Sequence, residues 1–223
     1  MGHLSKLKFQ GFWQIARTFF IRGKDMYTIE WAKNFSGFSK ENPMSLQDFI
    51  LFYDEHIANR YFTYSTTSKK MPYFVIETRQ NQIPHLMGLQ YWNNIDVKQP
   101  GKQYERLING EWDISFLKVA DEGSFKEHGW RIEFLGHLYN LLYHHKCTVK
   151  LINQTTFSVF KRRRINMVFQ KNDSKLVYFL ELREKGENTF VPTSLTNYRK
   201  GSSALRFKSD PLHISDVLVE RNN

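Results

Sequence analysis

From Val149 onward the chain is written in short β-favouring runs: Val149 to Ile152, Phe157 to Phe160, Ile165 to Phe169, Leu176 to Leu182 and Phe190 to Val191. Turn formers at Asn153, Lys171 to Ser174 and Gly186 to Asn188 separate them. Connections this short leave successive strands little choice but to pair antiparallel, so this half predicts a meander. The half before it follows a helical period. Ser45 offers an N-cap with Asp48 three residues on, and Leu46, Phe49, Ile50, Tyr53 and Ile57 recur at helical spacing, which predicts a helix over about 46–59. Tyr104 to Ile108, stopped near Gly110, and Ile114 to Val119 predict shorter elements. Trp130 to Leu142 predicts one longer helix whose residues 132, 135, 138, 139 and 142 form an apolar face. Tyr61 to Thr66 and Tyr73 to Glu77, joined by a turn signal from Ser68 to Pro72, read as a hairpin. Helices first and a meander afterwards predict an α+β domain, a C-terminal antiparallel sheet backed by helices.

A chain of 223 residues with 41% hydrophobic and 16% aromatic side chains can build one main core. Residues 1–44 are aromatic and basic, with Phe9, Phe12, Trp13, Phe19, Phe20, Tyr27 and Trp31, and end in a loop signal from Gly37 to Pro43. They read as an N-terminal extension packed on the main body. Residues 45–200 form that body, and 201–223, opening on Gly201–Ser202–Ser203, read as a C-terminal tail. Lys and Arg number 32 against 22 Asp and Glu, a formal charge of +10 that favours polyanions, nucleic acid foremost. An anionic membrane surface or a merely solubilising charge would have the same balance. The single cysteine, Cys147, rules out an intrachain disulfide and a cysteine zinc site and fits a reducing, cytoplasmic setting. Gln14 and Arg17 interrupt the N-terminal aromatic run and no small-residue cleavage site follows, so no signal peptide is expected. Apolar runs such as Phe49 to Tyr53 are far too short to span a bilayer.

Three places carry chemistry. In Pro84–His85–Leu86–Met87–Gly88 the proline suits a first helical turn, which puts the His85 imidazole at a helix start just after the Val75–Ile76 strand. The small Gly88 beside it would admit other backbone or a phosphate. His85 is a candidate acid or base, or a helix-start histidine bonded to a neighbouring carbonyl. Lys161–Arg162–Arg163–Arg164 is the densest charge in the chain. If the strand continued through it, alternation would separate Lys161 and Arg163 from Arg162 and Arg164, leaving one pair for a cleft and its phosphates. A solvated turn is the competing reading. Thr193 and Ser194 follow an apolar strand that Pro192 ends or edges, with Tyr198, Arg199 and Lys200 close behind. Those hydroxyls can bond a phosphoryl oxygen, or be ordinary turn chemistry.

His128, His137, His144 and His145 lack a His-Glu-x-x-His pattern or a complementary carboxylate, so no metal and no cofactor is expected. Glycine-rich phosphate loops and a Gly-x-Ser-x-Gly elbow are absent from the sequence, which disfavours nucleotide hydrolysis and serine-hydrolase chemistry. A histidine, cations and hydroxyls on a basic α+β domain match metal-independent RNA cleavage, in which a base activates the ribose 2′-hydroxyl and cations steady the phosphorane.

The chain resembles the phage-associated barnase–EndoU–colicin–RelE-like nucleases. The resemblance runs from Phe52–Tyr53 and Tyr61–Phe62–Thr63–Tyr64, through Val75–Ile76 and Pro84 to Leu89, to Phe190 through Ser194, covering about residues 45–197. It implies a helix-backed antiparallel sheet whose face cleaves RNA, in proteins of phages and other mobile elements that sometimes act as toxins. His85 matches the family's prominent histidine. Catalytic polar groups drawn from the last strands would be Thr193 and Ser194, with nucleic-acid contacts from Lys161, Arg162, Arg163, Arg164, Tyr198 and Arg199. An inhibitory or host protein partner fits such a toxin. The alternative is a non-catalytic nucleic-acid- or protein-binding module on the same fold, such as an inhibitor of a host defence system.

Overall fold

Ser45 caps its helix with a reciprocal pair of bonds. The Asp48 backbone N–H donates to the Ser45 hydroxyl at 3.0 Å, and the Ser45 N–H donates to the Asp48 carboxylate at 3.3 Å. The computed structural model of the protein describes residues 29–35, 45–155 and 158–222. The described residues on either side of Phe35 belong to two units. The first contributes helix α1 (Ile29–Asn34), with Lys33 Nζ 3.5 Å from Glu30. The rest of the 1–44 extension, its loop signal included, lies outside the described residues.

Helix α2 (Leu46–His56) buries Leu46, Phe49, Ile50, Phe52 and Tyr53. It stops short of residue 59 because Ile57 caps it and Asn59, at φ 53°, turns the chain into the first strand. The hairpin is present as β1 (Arg60–Thr66) and β2 (Tyr73–Thr78), with Phe62 opposite Ile76 and Tyr64 opposite Phe74. Six short helices follow: α3 (Ile83–Met87), α4 (Pro100–Ile108), α5 (Ile114–Ala120), α6 (Glu122–His128), α7 (Trp130–Leu135) and α8 (Leu138–Tyr143). The single helix expected over 130–142 is therefore two. It breaks where the Gly136 and His137 N–H groups turn back to Glu133 and Phe134. Its apolar face survives the break, for Ile132, Leu135, Leu138, Tyr139 and Leu142 are all buried.

The remaining elements are β3 (Thr148–Ile152), α9 (Val159–Arg162), β4 (Met167–Asn172), β5 (Leu176–Gly186), β6 (Thr189–Arg199), β7 (Ser209–Leu212) and β8 (Ile214–Arg221). The run expected as a strand up to Phe160 is instead the turn of α9, because the Ser158 hydroxyl accepts the Lys161 N–H at 3.1 Å and starts a helix. Phe157 lies outside the described residues.

The eight strands form one sheet in the order β7-β3-β4-β5-β6-β2-β1-β8. Strands β3 to β6 are the antiparallel meander, and β2 joins β6 in parallel. The two outermost strands are consecutive in the chain, with only His213 between them, so the sheet must curl until its edges approach. Residues after 201 are thus not a tail; they supply both flanking strands, β7 against β3 and β8 against β1. Inside the curl, Tyr64 stacks on Phe74 at 4.7 Å and meets Phe169 at 5.7 Å, while Phe74 meets Phe190 at 6.1 Å. These rings come from four strands, and helices complete the core. The Tyr64 hydroxyl donates to the Leu142 carbonyl at 2.7 Å, and the Trp92 indole N–H to Leu117 at 3.1 Å, so both buried polar handles are satisfied.

His128 lies against Tyr91 at 4.4 Å, His137 Nδ1 is 2.8 Å from Lys171 Nζ, His144 meets the Tyr139 ring and His145 the Tyr64 ring. Burial pushes the Cys147 thiol up to about 12, although Lys171 opposes the shift. Among the described residues no helix is long and apolar enough to cross a membrane.

Because β7 and β8 cover both flanks of the sheet, a chain ending at Lys208 is expected to lose cooperative unfolding. Thermal or urea denaturation followed by circular dichroism checks this, and a full-length-like transition would mark the segment as dispensable.

Candidate active site

Among the described strands β2 and β6 are the one parallel pair, and they stay together only briefly: Val75 faces Thr189, Ile76 faces Phe190, and then they part. The chain leaving β2 passes through Gln80–Gln82 into α3, while β6 runs on beside β5. A cleft of about 530 Å³ opens there, lined by His85, Arg163, Glu181, Arg183, Thr193 and Ser194. The cleft thus lies past the end of β2 and beside the middle of β6.

Helix α3 explains why His85 reaches the cleft. Ile83, Pro84, Leu86 and Met87 are buried, which leaves the imidazole as the exposed side chain of the turn. The segment before it is tied down: Gln80 Nε2 and the Tyr104 hydroxyl both donate to Asp54 Oδ1 at 2.5 Å, and the Tyr53 hydroxyl donates to the Arg79 carbonyl at 2.8 Å. Glu77, at the end of β2, is 2.5 Å from both Arg79 and Lys185. Desolvation would raise its carboxyl, but the hydrogen bonds from those two cations win and hold it below its ordinary value. Although His85 faces solvent at the cleft, packing around the ring partly desolvates it. That, with the nearby Arg131 and Arg183 guanidiniums, holds the imidazole below its ordinary value. It is neutral at pH 7 and can accept a proton.

Gly88 ends α3 at φ 81°, a left-handed conformation. A Cβ there would stand 3.0 Å from Arg131 Cδ. The small residue leaves room for the Arg131 side chain and for the Tyr91 ring, whose nearest carbon would stand 3.3 Å from that Cβ. Arg131 comes from α7 and is 6% exposed. Its guanidinium lies 5.2 Å from the Tyr91 ring and 5.5 Å from the Trp130 ring, and Nη1 is 3.5 Å from Ser194 Oγ. Tyr91 shares the cleft lining and is 43% exposed.

Of the four consecutive cations, Arg163 alone lines the cleft, and Lys161, Arg162 and Arg164 are exposed. The strand alternation expected for them does not exist. They occupy the end of α9 and a turn in which Arg164, at φ 57°, redirects the chain toward β4. Arg163 Nη2 lies 2.6 Å from Glu181 Oε1 and donates to the Tyr198 hydroxyl at 2.8 Å. Tyr198 is thus half-buried behind the cleft, and Arg199 is exposed where β6 ends.

The hydroxyl pair also sits differently from its expected place. Pro192 does not end β6, because pairing with β2 covers only Thr189 and Phe190 and leaves one side of the strand open to a proline. The register against β5 slips from Glu181–Ser194 to Leu182–Pro192, which makes Thr193 an extra residue. The Thr193 hydroxyl donates to the Glu181 carbonyl at 3.0 Å, replacing ladder bonding lost at the bulge.

Glu181 is a cleft residue that the sequence reading missed. It has no exposed surface, yet its Oε1 accepts the Thr196 hydroxyl at 2.7 Å in addition to pairing with Arg163. Burial pushes its carboxyl up, against the opposing pull of Arg163, Thr196 and Arg131. The available signal was a charge placed inside the otherwise apolar run Leu176 to Leu182. Among the described residues, Glu181 Oε2, Arg163 Nε and Arg131 Nε are buried without a hydrogen-bond partner. Arg163 and Arg183 thus bring positive charge to the cleft that His85 lines, with the buried Arg131 guanidinium close by at Ser194.

The cleft brings a histidine, two arginines and two hydroxyl side chains together on a curled α+β sheet. Residues 45–222 match the family described as phage-Barnase-EndoU-ColicinE5/D-RelE like nuclease4, and the chain belongs to that family. The match runs through β7 and β8 as well as the cleft, and a family of nucleases implies nucleic acid as the ligand class. No curated protein and no solved structure matches the chain.

Arg163→Met would strand the Glu181 carboxylate. The expected loss is about 3 kcal/mol at neutral pH, the low end for a broken buried pair because Arg163 is one-third open to solvent. A carboxyl raised in the fold favours the native state when protonated, so the loss should shrink as pH falls toward about 5. Replacing Glu181 by Leu in the same chain should recover most of it. Urea melts of the parent, single and double variants at both pH values check the sign and size.

Proposed function

We propose that the protein is a metal-independent endoribonuclease, with the reacting phosphate held between His85 and Arg163. The observation that carries this reading is the meeting of His85, Arg163, Arg183, Thr193 and Ser194, far apart in the chain, around one cleft. On this reading the neutral His85 takes the proton of a ribose 2′-hydroxyl, and its oxygen forms a bond to the adjacent phosphorus. The bond from phosphorus to the 5′-oxygen breaks, and that oxygen takes a proton from the Tyr91 hydroxyl. The products are a 2′,3′-cyclic phosphate and a 5′-hydroxyl end. Arg163 and Arg183 stabilise the charge that gathers on the phosphorane oxygens, and Ser194, backed by Arg131, donates to one of them. Glu181 has no surface to offer a substrate. It is a positioning residue that holds Arg163 at the cleft wall.

The family supports a barnase/RelE-like reading of the helix-backed sheet, and with it a toxin-like protein of a phage or mobile element; the single cysteine fits action in the cytoplasm. A host or inhibitory protein would then act by covering the cleft.

His85→Ala is expected to slow cleavage of a mixed RNA pool by about 10²–10⁴-fold, while EDTA leaves the rate unchanged. Because the base works deprotonated and its imidazole is held below the ordinary value, activity should rise with pH through a midpoint below about 6.5 and level off by neutrality. The variant should lack that limb. Initial rates from gel-resolved fragments across pH 4.5–8 check both statements. Salt-sensitive binding with no new RNA ends at enzyme excess would replace the reading with that of a binding module.

A further inference from the structure

We infer that the cleft is extended by a basic track for the flanking single strand of the RNA, running over α9 and onto the segment 199–208. The inference rests on the nuclease reading, since it supplies the rest of a polymeric substrate whose reacting phosphate lies at His85.

A chain of contacts joins the two segments to the cleft. Arg163 leads from Glu181 to the Tyr198 hydroxyl at 2.8 Å, the Tyr198 ring is 6.4 Å from Phe160 on α9, and Phe160 is 4.7 Å from Phe207. Lys150 Nζ stands over the Phe207 ring, 5.5 Å from its centre. Tyr198, Leu205 and Phe207 pack on buried Phe160 and Phe179, so the loop after β6 is fastened against α9. The cations between these anchors turn outward. Lys161, Arg162 and Arg164 around α9, and Arg199, Lys200, Arg206 and Lys208 in the loop, are all exposed. Among the described residues none of the seven forms a salt bridge, in contrast to Arg79, Arg106, Lys126 and Lys185, which do. Neither 158–166 nor 198–209 contains an acidic residue, and the next one, Asp210, is 3.5 Å from Lys70.

Cations that fold back on carboxylates merely solubilise a surface. Seven that do not, on two fastened segments meeting at the cleft wall, can neutralise successive phosphates of one strand. The ligand is a single strand because the reacting nucleotide must leave any stack to enter a cleft of about 530 Å³, and an unpaired chain bends into it without breaking base pairs.

The test uses binding, so that it stands apart from cleavage. A 12-nucleotide RNA carrying 2′-O-methyl groups throughout has no attacking hydroxyl, and fluorescence anisotropy gives its affinity to the full chain between 50 and 300 mM salt. Removing three phosphate contacts with Arg162→Gln, Arg199→Gln and Arg206→Gln together should flatten the slope of log affinity against log salt by about 2. Removing three exposed cations elsewhere, with Lys69→Gln, Lys118→Gln and Lys146→Gln, should change the slope by less than half as much. Equal flattening by both sets overturns the track in favour of net charge, as does no flattening by the first set when its melting curve matches the parent. Tighter binding of the parent to a 12-base-pair duplex of the same sequence than to the single strand overturns the choice of ligand. An absence of cleavage in the assays on natural RNA would sink the nuclease reading alone.

Discussion

A carboxylate without exposed surface, Glu181, sits in the middle of β5, and the cleft depends on how its charge is met. Leaving an ionised group buried and unpaired costs several kcal/mol, a large part of the 5–15 kcal/mol by which a domain of this kind is stable. Arg163 supplies the opposite charge and the Thr196 hydroxyl a further bond. Meeting that demand pins the turn between α9 and β4 onto β5 and β6. It also holds the Arg163 guanidinium at the cleft wall. The interaction that stabilises the wall is thus the one that gives it positive charge.

The rest of the fold brings His85 to face that wall. Because β7 and β8 are one continuous ribbon on the two outer flanks, the sheet is curled, and aromatic rings from β1, β2, β4 and β6 fill its inside. The parallel contact of β2 with β6 spans two residue pairs, and their divergence makes the opening into which α3 is set. Burial of Ile83, Leu86 and Met87 anchors that short helix, and the left-handed Gly88 lets Arg131 pass beneath it. Packing therefore fixes the imidazole from below while leaving its edge free.

What could be read in the sequence was what local chemistry decides. The Ser45 cap, the hairpin of β1 and β2 and the meander from β3 to β6 each follow from capping, alternation or turn spacing, and His85 stood out because proline and glycine bracket it. What could not be read depended on partners distant in the chain. The cationic run looked like strand continuation because Phe160 and Ile165 flank it, but the Ser158 cap starts a helical turn and only Arg163 faces inward. Residues after 201 read as a tail because they open on Gly201–Ser202–Ser203, and the role of β7 and β8 comes from strands some sixty and a hundred and fifty residues earlier. Glu181 was passed over because a lone acid in an apolar strand gains meaning only once its arginine is located.

The central claim is that the 2′-hydroxyl attacks within this cleft. Its most direct measurement compares an RNA oligonucleotide with the same strand carrying a single 2′-deoxy substitution at the cleaved nucleotide, with product ends identified by mass spectrometry. The account predicts 2′,3′-cyclic phosphate and 5′-hydroxyl ends from the RNA and no scission at the substituted position. Cleavage of both strands at the same rate, or products bearing 5′-phosphates, would contradict it.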